Sequence, residues 1–241
     1  MKKLLLLLIT ITIGLQFKAE AQMDSSKIYH KATVAYENGD VKDEVVYFST
    51  SSPFQIQRTL RIAEKDYYNE RMDAGKRIQF RKLEKIKPND VKSVDIHGGP
   101  TFVTKKYADL SEIGFNSIPK NYLLYEVIGG DIQLYLLFHE SMVVTSDEIL
   151  NDSTAEEMAK AKLFVNSDLI IVKGDENAKH IDTIKITDFI DDNEQIMEAY
   201  ENDEYPVVKG SYSSRLKGSS YNQFQGFESL IKLVADYNTA E

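Results

Sequence analysis

The stretch from Tyr122 to Phe138 reads YLLYEVIGGDIQLYLLF, two apolar runs joined by Gly129-Gly130. Glycine tolerates the positive φ angles of tight hairpin turns, so this pattern predicts a β-hairpin. A two-residue loop would also set the register and make one side of the hairpin apolar. The expected pairs on that side are Val127 with Ile132, Tyr125 with Leu134, and Leu123 with Leu136. An isolated hairpin is not stable in water, so we expect other elements to cover it.

The chain before this hairpin alternates apolar and polar residues between turn signals, which is typical of short antiparallel strands. The turn signals are an Asn-Gly pair at 38–39, Pro-Asn-Asp at 88–90 and Gly-Gly-Pro at 98–100. Residues 64–76 are polar and contain a glycine, so we predict a long loop or an irregular excursion there. The predicted strands are 28–36, 41–50, 55–62, 77–86, 91–96 and 101–107, with a last one at 163–173 after the hairpin.

Helical patterns follow the hairpin. Thr154-Ala155-Glu156-Glu157 resembles a capping box before a short helix, and 188–201 begins at another cap-like acidic run. Residues 224–238 carry an apolar stripe at helical spacing, and 207–222 are predicted as a loop. These elements predict an α+β fold. An antiparallel β-meander forms a sandwich or partial barrel, with two C-terminal helices packed on it.

The first 21 residues have the features of a signal peptide. Lys2 and Lys3 precede an apolar run from Leu4 to Leu15, and Ala19-Glu20-Ala21 gives the small-x-small cleavage pattern. The apolar run is shorter than the roughly 20 residues of a spanning helix, and no cysteine follows for a lipid anchor. We therefore expect cleavage after Ala21, a periplasmic or secreted protein without a membrane span, and a single domain at 22–241 whose helical segment is about 188–238.

Charge and cysteine content exclude several classes of function. Removing residues 1–21 takes away three lysines and one glutamate, so the net charge falls from -9 to -11. An acidic protein repels phosphate, so we expect no nucleic-acid partner. The chain has no cysteine, which excludes disulfides, thiol catalysis and cysteine metal sites.

Three blocks of sequence resemble a family of uncharacterised exported bacterial proteins. They are Lys-Pro-Asn-Asp-Val-Lys-Ser-Val at 87–94, the hairpin runs at 122–127 and 132–135, and Ala-Asp-Tyr-Asn at 235–238. The resemblance implies a signal peptide, a β-rich body and a helical tail. It implies no activity.

Known catalytic and metal motifs are absent. His139-Glu140 begins like the HExxH zinc motif, but Val143 stands where the second histidine is needed. Ser-x-x-Lys occurs at 214–217 without its companion motifs. The acidic run at 191–194 lacks the central glycine and twelfth-position Glu of an EF-hand loop. We therefore predict no catalytic residue, cofactor or metal ligand, while a site assembled from residues distant in sequence stays open.

Tyrosines in predicted loops are the candidate binding surface. They are Tyr67, Tyr68, Tyr205, Tyr212 and Tyr221. Exposed tyrosines suit contact with a protein or glycan, although such rings can equally pin loops to the body. We expect a non-enzymatic envelope protein that binds another protein or an envelope polymer. The alternative is a periplasmic hydrolase with a non-sequential site, for which His97 beside Gly98-Gly99-Pro100 is a weak candidate. A deep pocket with a titratable residue would favour the enzyme, and an exposed tyrosine surface the binder.

Overall fold

The computed structural model describes residues 28–49, 52–108, 118–139, 167–205 and 220–240. In these residues the chain forms an antiparallel sheet of ten strands and five α-helices, so the α+β prediction is confirmed. The strands are β1 Tyr29–Tyr36, β2 Val41–Tyr47, β3 Leu60–Ala63, β4 Glu84–Ile86, β5 Val91–Ile96, β6 Thr101–Tyr107, β7 Lys120–Ile128, β8 Ile132–Phe138, β9 Ser167–Lys173 and β10 Lys179–His180. The helices are α1 Phe54–Arg58, α2 Lys65–Asp73, α3 Thr187–Ile190, α4 Glu194–Glu201 and α5 Ser220–Thr239.

The sheet joins two meanders. Its strand order is β10-β9-β8-β7-β6-β5-β1-β2-β3-β4, so strands adjacent in the chain are adjacent in the sheet except where β5 pairs with β1. Strand β4 is therefore one edge of the sheet and β10 the other.

One face of the sheet carries the main core, which we call the inner face. Its β1–β6 half is apolar and packs against Ile56 of α1, while its β8–β9 half is covered by α3, α4 and α5. Successive edge-to-face aromatic contacts in the core link the two halves: Phe48 to Phe102, Phe102 to Tyr125, and Tyr125 to Phe138, with ring centroids 5.5–5.8 Å apart. The predicted packing of the C-terminal helices on the sheet is confirmed.

The hairpin forms as β7 and β8, but its predicted register is wrong. Tyr125 pairs with Leu136 rather than Leu134, and the register shifts between Glu126 and Ile128. The cause is a β-bulge, which places an extra residue, Val127, in β7. The predicted apolar side is nevertheless buried, because a shift of two residues keeps each side chain on its face. Leu123 and Leu134 are fully buried and Leu136 is 2% exposed.

Three segments before the hairpin also differ from prediction. Residues 55–62 contain helix α1 as well as strand β3, and 64–76 contain helix α2 instead of a loop. Within 77–86 only the short strand β4 follows a 3-10 turn at Phe80–Lys82. The single helix predicted at 188–201 is two helices, α3 and α4. The signal peptide, the capping box at 154–157 and most of the 207–222 loop lie outside the described residues.

The ladder between β7 and β8 is short, and Gln57 extends it. Strand β8 pairs with β9 at seven positions but with β7 at only three. Beyond them the fully buried Gln57 amide reaches β8 from α1. Its Nε2 donates to the Leu136 carbonyl at 2.7 Å, and the Phe138 N–H donates to its Oε1 at 2.8 Å. Gln57 thus replaces a missing strand neighbour.

At the other end of β8, Asn238 of α5 holds the hairpin turn. The Ile132 N–H donates to its Oδ1 at 2.9 Å, while its Nδ2 donates to the carbonyls of Ile132 and Gly129 at 2.7 and 3.1 Å. Gly130 has φ +134°, and a Cβ added there would lie 2.6 Å from Cγ of Asn238. Glycine is therefore required by both the backbone conformation and the helix contact.

No helix in the described part of the chain is long and apolar enough to cross a membrane.

Replacing Gln57 with leucine should lower the free energy of unfolding by about 3 kcal/mol, because two buried β8 backbone groups lose their partners. Urea denaturation of the chain from residue 22 measures the change. The control is Gln79→Leu at an exposed site, which should change stability little. Equal effects of the two variants would contradict the role of Gln57.

Gly130→Ala should cost about 2 kcal/mol of stability, because it adds both backbone strain and a clash with Asn238. Gly39→Ala is the matched control, since Gly39 has φ +92° but open space around its Cβ position. The difference between the stability lost in Gly130→Ala and that lost in Gly39→Ala measures the clash with Asn238. In an Asn238→Ala background this difference should disappear. A difference of zero in the wild-type background would show that the contact does not constrain this position.

Candidate functional site

Aromatic rings form a row on the outer face of strands β1–β3, opposite the inner face. Tyr29 of β1 pairs with Tyr47 of β2, and their ring centroids lie 5.7 Å apart. Tyr68 lies 6.3 Å from Tyr29 at one end of the row, and Phe80 lies 5.1 Å from Tyr47 at the other. Tyr29 and Tyr47 point outward because their neighbours His30 and Val46 are buried on the inner face. We call these four residues the aromatic row.

Helix α2 positions Tyr67 and Tyr68, two of the tyrosines predicted to bind. The Tyr67 hydroxyl accepts a hydrogen bond from the Gln79 N–H at 2.9 Å, which ties the helix to the segment that follows it. Arg71 strengthens this link by donating from Nε and Nη2 to the Arg77 carbonyl. Helix α2 has no buried residue, so its apolar side chains remain close to solvent.

Exposed apolar side chains extend the aromatic row. Phe80 is 43% exposed, and Met72 is 54% exposed one helical turn after Tyr68. Ile28 is also 42% exposed, but it lies opposite Phe48 and therefore on the inner side of the strand. Met72 and Phe80 are two of the five exposed large hydrophobic residues in the described chain, the others being Ile28, Val41 and Ile118. Exposed apolar side chains beside the aromatic row make this surface suited to a partner.

Cationic side chains border the row. The Arg61 guanidinium lies 4.2 Å from the centroid of the Phe80 ring, a cation–π contact that leaves both groups accessible. Arg61 is paired with Lys85 on β4. Residues 76–87, which we call the basic segment, contain six basic residues and one acidic residue. All six basic side chains are exposed.

The remaining predicted tyrosines are placed differently. Tyr205 is 2% exposed and packs in the core against α5. Its hydroxyl donates to Asp236 at 2.8 Å, and Lys232 lies 4.4 Å from its ring centroid. Its ring therefore pins the chain after α4 and does not reach the surface. Tyr212 lies outside the described residues, and Tyr221 belongs to α5 with its side chain outside the described part.

A cluster of titratable groups that sequence reasoning missed surrounds Asp168 at the start of β9. The Tyr107 hydroxyl donates to Oδ2 at 3.0 Å, and Nε2 of His180 lies 3.6 Å from Oδ1. Nε2 of His139 lies 3.0 Å from the same oxygen. The group joins β6, β8, β9 and β10.

Burial by itself would raise the pKa of Asp168, but the imidazoles of His139 and His180 outweigh it and hold that pKa well below its usual range. Asp168 is thus a fixed carboxylate and not a proton donor. Nδ1 of His180 accepts from the Asp182 N–H at 3.1 Å, so geometry assigns its proton to Nε2, facing Asp168. Both ring nitrogens of His180 are engaged. The contacts of this cluster fasten strands β6, β9 and β10 to one another.

A groove of about 810 Å³ is lined by Lys173, Glu176, Lys179, residues 182–189 and Tyr200. The Lys173 amine already has hydrogen-bond partners in this groove. Its Nζ donates to Asp192 at 2.7 Å and to the Phe189 carbonyl at 2.8 Å. Burial alone would lower the pKa of Lys173, but the Asp192 carboxylate and the Tyr237 hydroxyl raise it, so the amine stays charged and is not a nucleophile.

His97, the residue considered for a hydrolase, lies exposed in the turn between β5 and β6. Its Nε2 is 2.9 Å from the Thr33 hydroxyl. In the described chain, no three histidine or acidic side chains are arranged to hold a metal ion.

Asp168→Asn should lower the free energy of unfolding at neutral pH by about 2 kcal/mol, because charged contacts to two imidazoles and a phenol are lost. A carboxyl with a depressed folded pKa adds stability that is fully present above its unfolded pKa of about 4 and is lost as pH falls through the folded pKa. The difference in free energy of unfolding between wild type and Asp168→Asn should therefore become smaller below about pH 4.

Urea denaturation across this pH range measures the difference, with exposed Asp175→Asn as the control. A difference that is absent at neutral pH, or that does not become smaller on acidification, would contradict this account of the cluster.

No family model, curated protein or solved structure matches this chain. The geometry of the aromatic row and of the basic segment is therefore the basis for a function.

Proposed function

We propose that this chain is an exported, non-enzymatic binding protein that holds an envelope protein or polymer on the outer face of β1–β3. The observation that carries the proposal is the aromatic row, with its exposed extension at Phe80 and Met72. The signal-like residues 1–21 support the exported setting.

The composition of this face suits binding. Tyrosine, phenylalanine, methionine and arginine are enriched at protein interfaces, because they bury large areas and can still hydrogen-bond or stack. Here the rings contact one another and Tyr67 is hydrogen-bonded to the following segment. Such packing limits the side-chain entropy that binding would otherwise cost.

The hydrolase alternative stays a prediction from the sequence. Asp168, His180 and Lys173 are each engaged by neighbours in the described structure, and His97 stands on an exposed turn. None of these observations favours it as a second function.

The double variant Met72→Ala/Phe80→Ala should reduce capture of the physiological partner about tenfold or more, because buried apolar anchors carry most of the binding energy of an interface. The purified chain from residue 22, immobilised and exposed to envelope extract, is the bait, and quantitative mass spectrometry compares what each variant retains.

Ile118→Ala is the control, since this side chain is 69% exposed and lies before β7, outside the row. It should retain partners as wild type does. The proposal fails if the Met72/Phe80 variant retains the same set, or if the control loses as much. Denaturation curves of both variants exclude misfolding as the cause.

A further inference from the structure

The charge of this protein is distributed unevenly. The basic segment at 76–87 has six basic residues and one acidic residue, a net of +5 in a chain whose total is -9, so the remainder carries -14. Helix α2 before it carries a net of -1. The positive potential is therefore centred on the edge formed by β4 and the turn at Phe80–Lys82. A positive patch on an otherwise acidic protein attracts partners that carry negative charge.

Two cations face each other at this edge. Arg61 of β3 and Lys85 of β4 are direct cross-strand partners. Like charges in this position are destabilising. Arg61 is stacked on Phe80, and Lys85 is exposed. Carboxylates placed between the two cations would convert this repulsion into attraction.

Lysines on an edge strand commonly prevent unwanted pairing with other sheets. Strand β4 is a short edge strand, so part of its charge fits that role. Edge protection requires neither a Phe80 ring that is 43% exposed nor an arginine stacked on it. Those features place apolar and cationic groups side by side, which is the composition of a binding surface.

We propose that the occupant of this surface is an acidic segment of another protein, lying extended across the aromatic row and the basic segment. Its carboxylates contact Arg61, Lys82, Lys85 and Lys87, and its apolar side chains contact Phe80 and Met72. This inference deepens the proposed function and rests on it, because it names the chemistry of the partner at the same face.

A polypeptide fits this face better than an anionic glycan. The chain has no tryptophan, the ring that most favours stacking on sugars, and its aromatic row is made of tyrosine and phenylalanine. Within the part of the chain that the structure describes, strand β4 pairs with β3 on one side and with no strand on the other. An extended peptide can use backbone hydrogen bonds at such an edge, and a glycan cannot use them in the same way.

The test uses a fluorescein-labelled peptide of about 12 residues in which glutamate and valine alternate, with polarisation as the readout. The chain from residue 22 should bind it, and raising NaCl from about 50 to about 300 mM should weaken binding strongly. The peptide with lysine in place of glutamate should not bind. Lys82→Gln/Lys85→Gln/Lys87→Gln should weaken binding about tenfold or more.

The matched control is Lys92→Gln/Lys106→Gln/Lys185→Gln, which removes the same charge from exposed positions outside the segment and should bind the peptide nearly as wild type does. Equal loss in both triple variants would show nonspecific attraction and overturn the inference. A galacturonate oligomer of equal charge that binds as tightly as the peptide would overturn the choice of a polypeptide.

This experiment can fail separately from the proposed function. If Met72→Ala/Phe80→Ala loses the envelope partner while wild type ignores the acidic peptide, the binding face stands and its acidic specificity is wrong. If the Met72/Phe80 variant also keeps the envelope partner, the face itself is wrong.

Discussion

The peptide groups of β8 must find partners inside the protein, because this strand is buried over most of its length and water cannot reach it. Strand β9 satisfies one side completely, while β7 satisfies only part of the other. The side-chain amides of Gln57 and Asn238 complete the two ends of β8. An amide suits this task because it presents a donor and an acceptor, as a strand does. This requirement fixes where α1 and α5 dock.

That docking organises both faces of the sheet. Helix α1 leads directly into β3, and α2 follows β3 on the opposite face, where Tyr68 meets Tyr29. The rigid strands thus support a surface whose rings and charges are not needed for the core. At the other end, Tyr107, His139 and His180 converge on Asp168 and hold the last strands together. The strands at the Asp168 end are held together by charged contacts, whereas the basic segment at the β4 end exposes its charges to solvent.

Local pattern was enough to predict the strands at 91–96 and 101–107, because clear turns bound each apolar alternation. Local pattern did not predict the elements whose conformation is set by tertiary contacts. The alternation at 55–62 concealed α1, whose Gln57 is buried for its hydrogen bonds. Helix α2 has no apolar stripe to reveal it, and the Val127 bulge left no mark in the hairpin sequence. Tyr67 and Tyr68 were proposed as binding residues because 64–76 was predicted as a loop, and the structure places them on α2 instead. Phe80, Arg61 and the Asp168 cluster depend on neighbours that only the sheet order brings together.

The contact between Asn238 and the hairpin spans 106 residues and lies in the final turns of α5. A nascent chain therefore cannot finish its central strand until nearly its whole length has been synthesised, whatever the earlier strands have formed. Closing so long a loop is slow compared with forming a local hairpin. The polypeptide would therefore remain incompletely folded during its synthesis, with the central strand still lacking its partners at the hairpin turn.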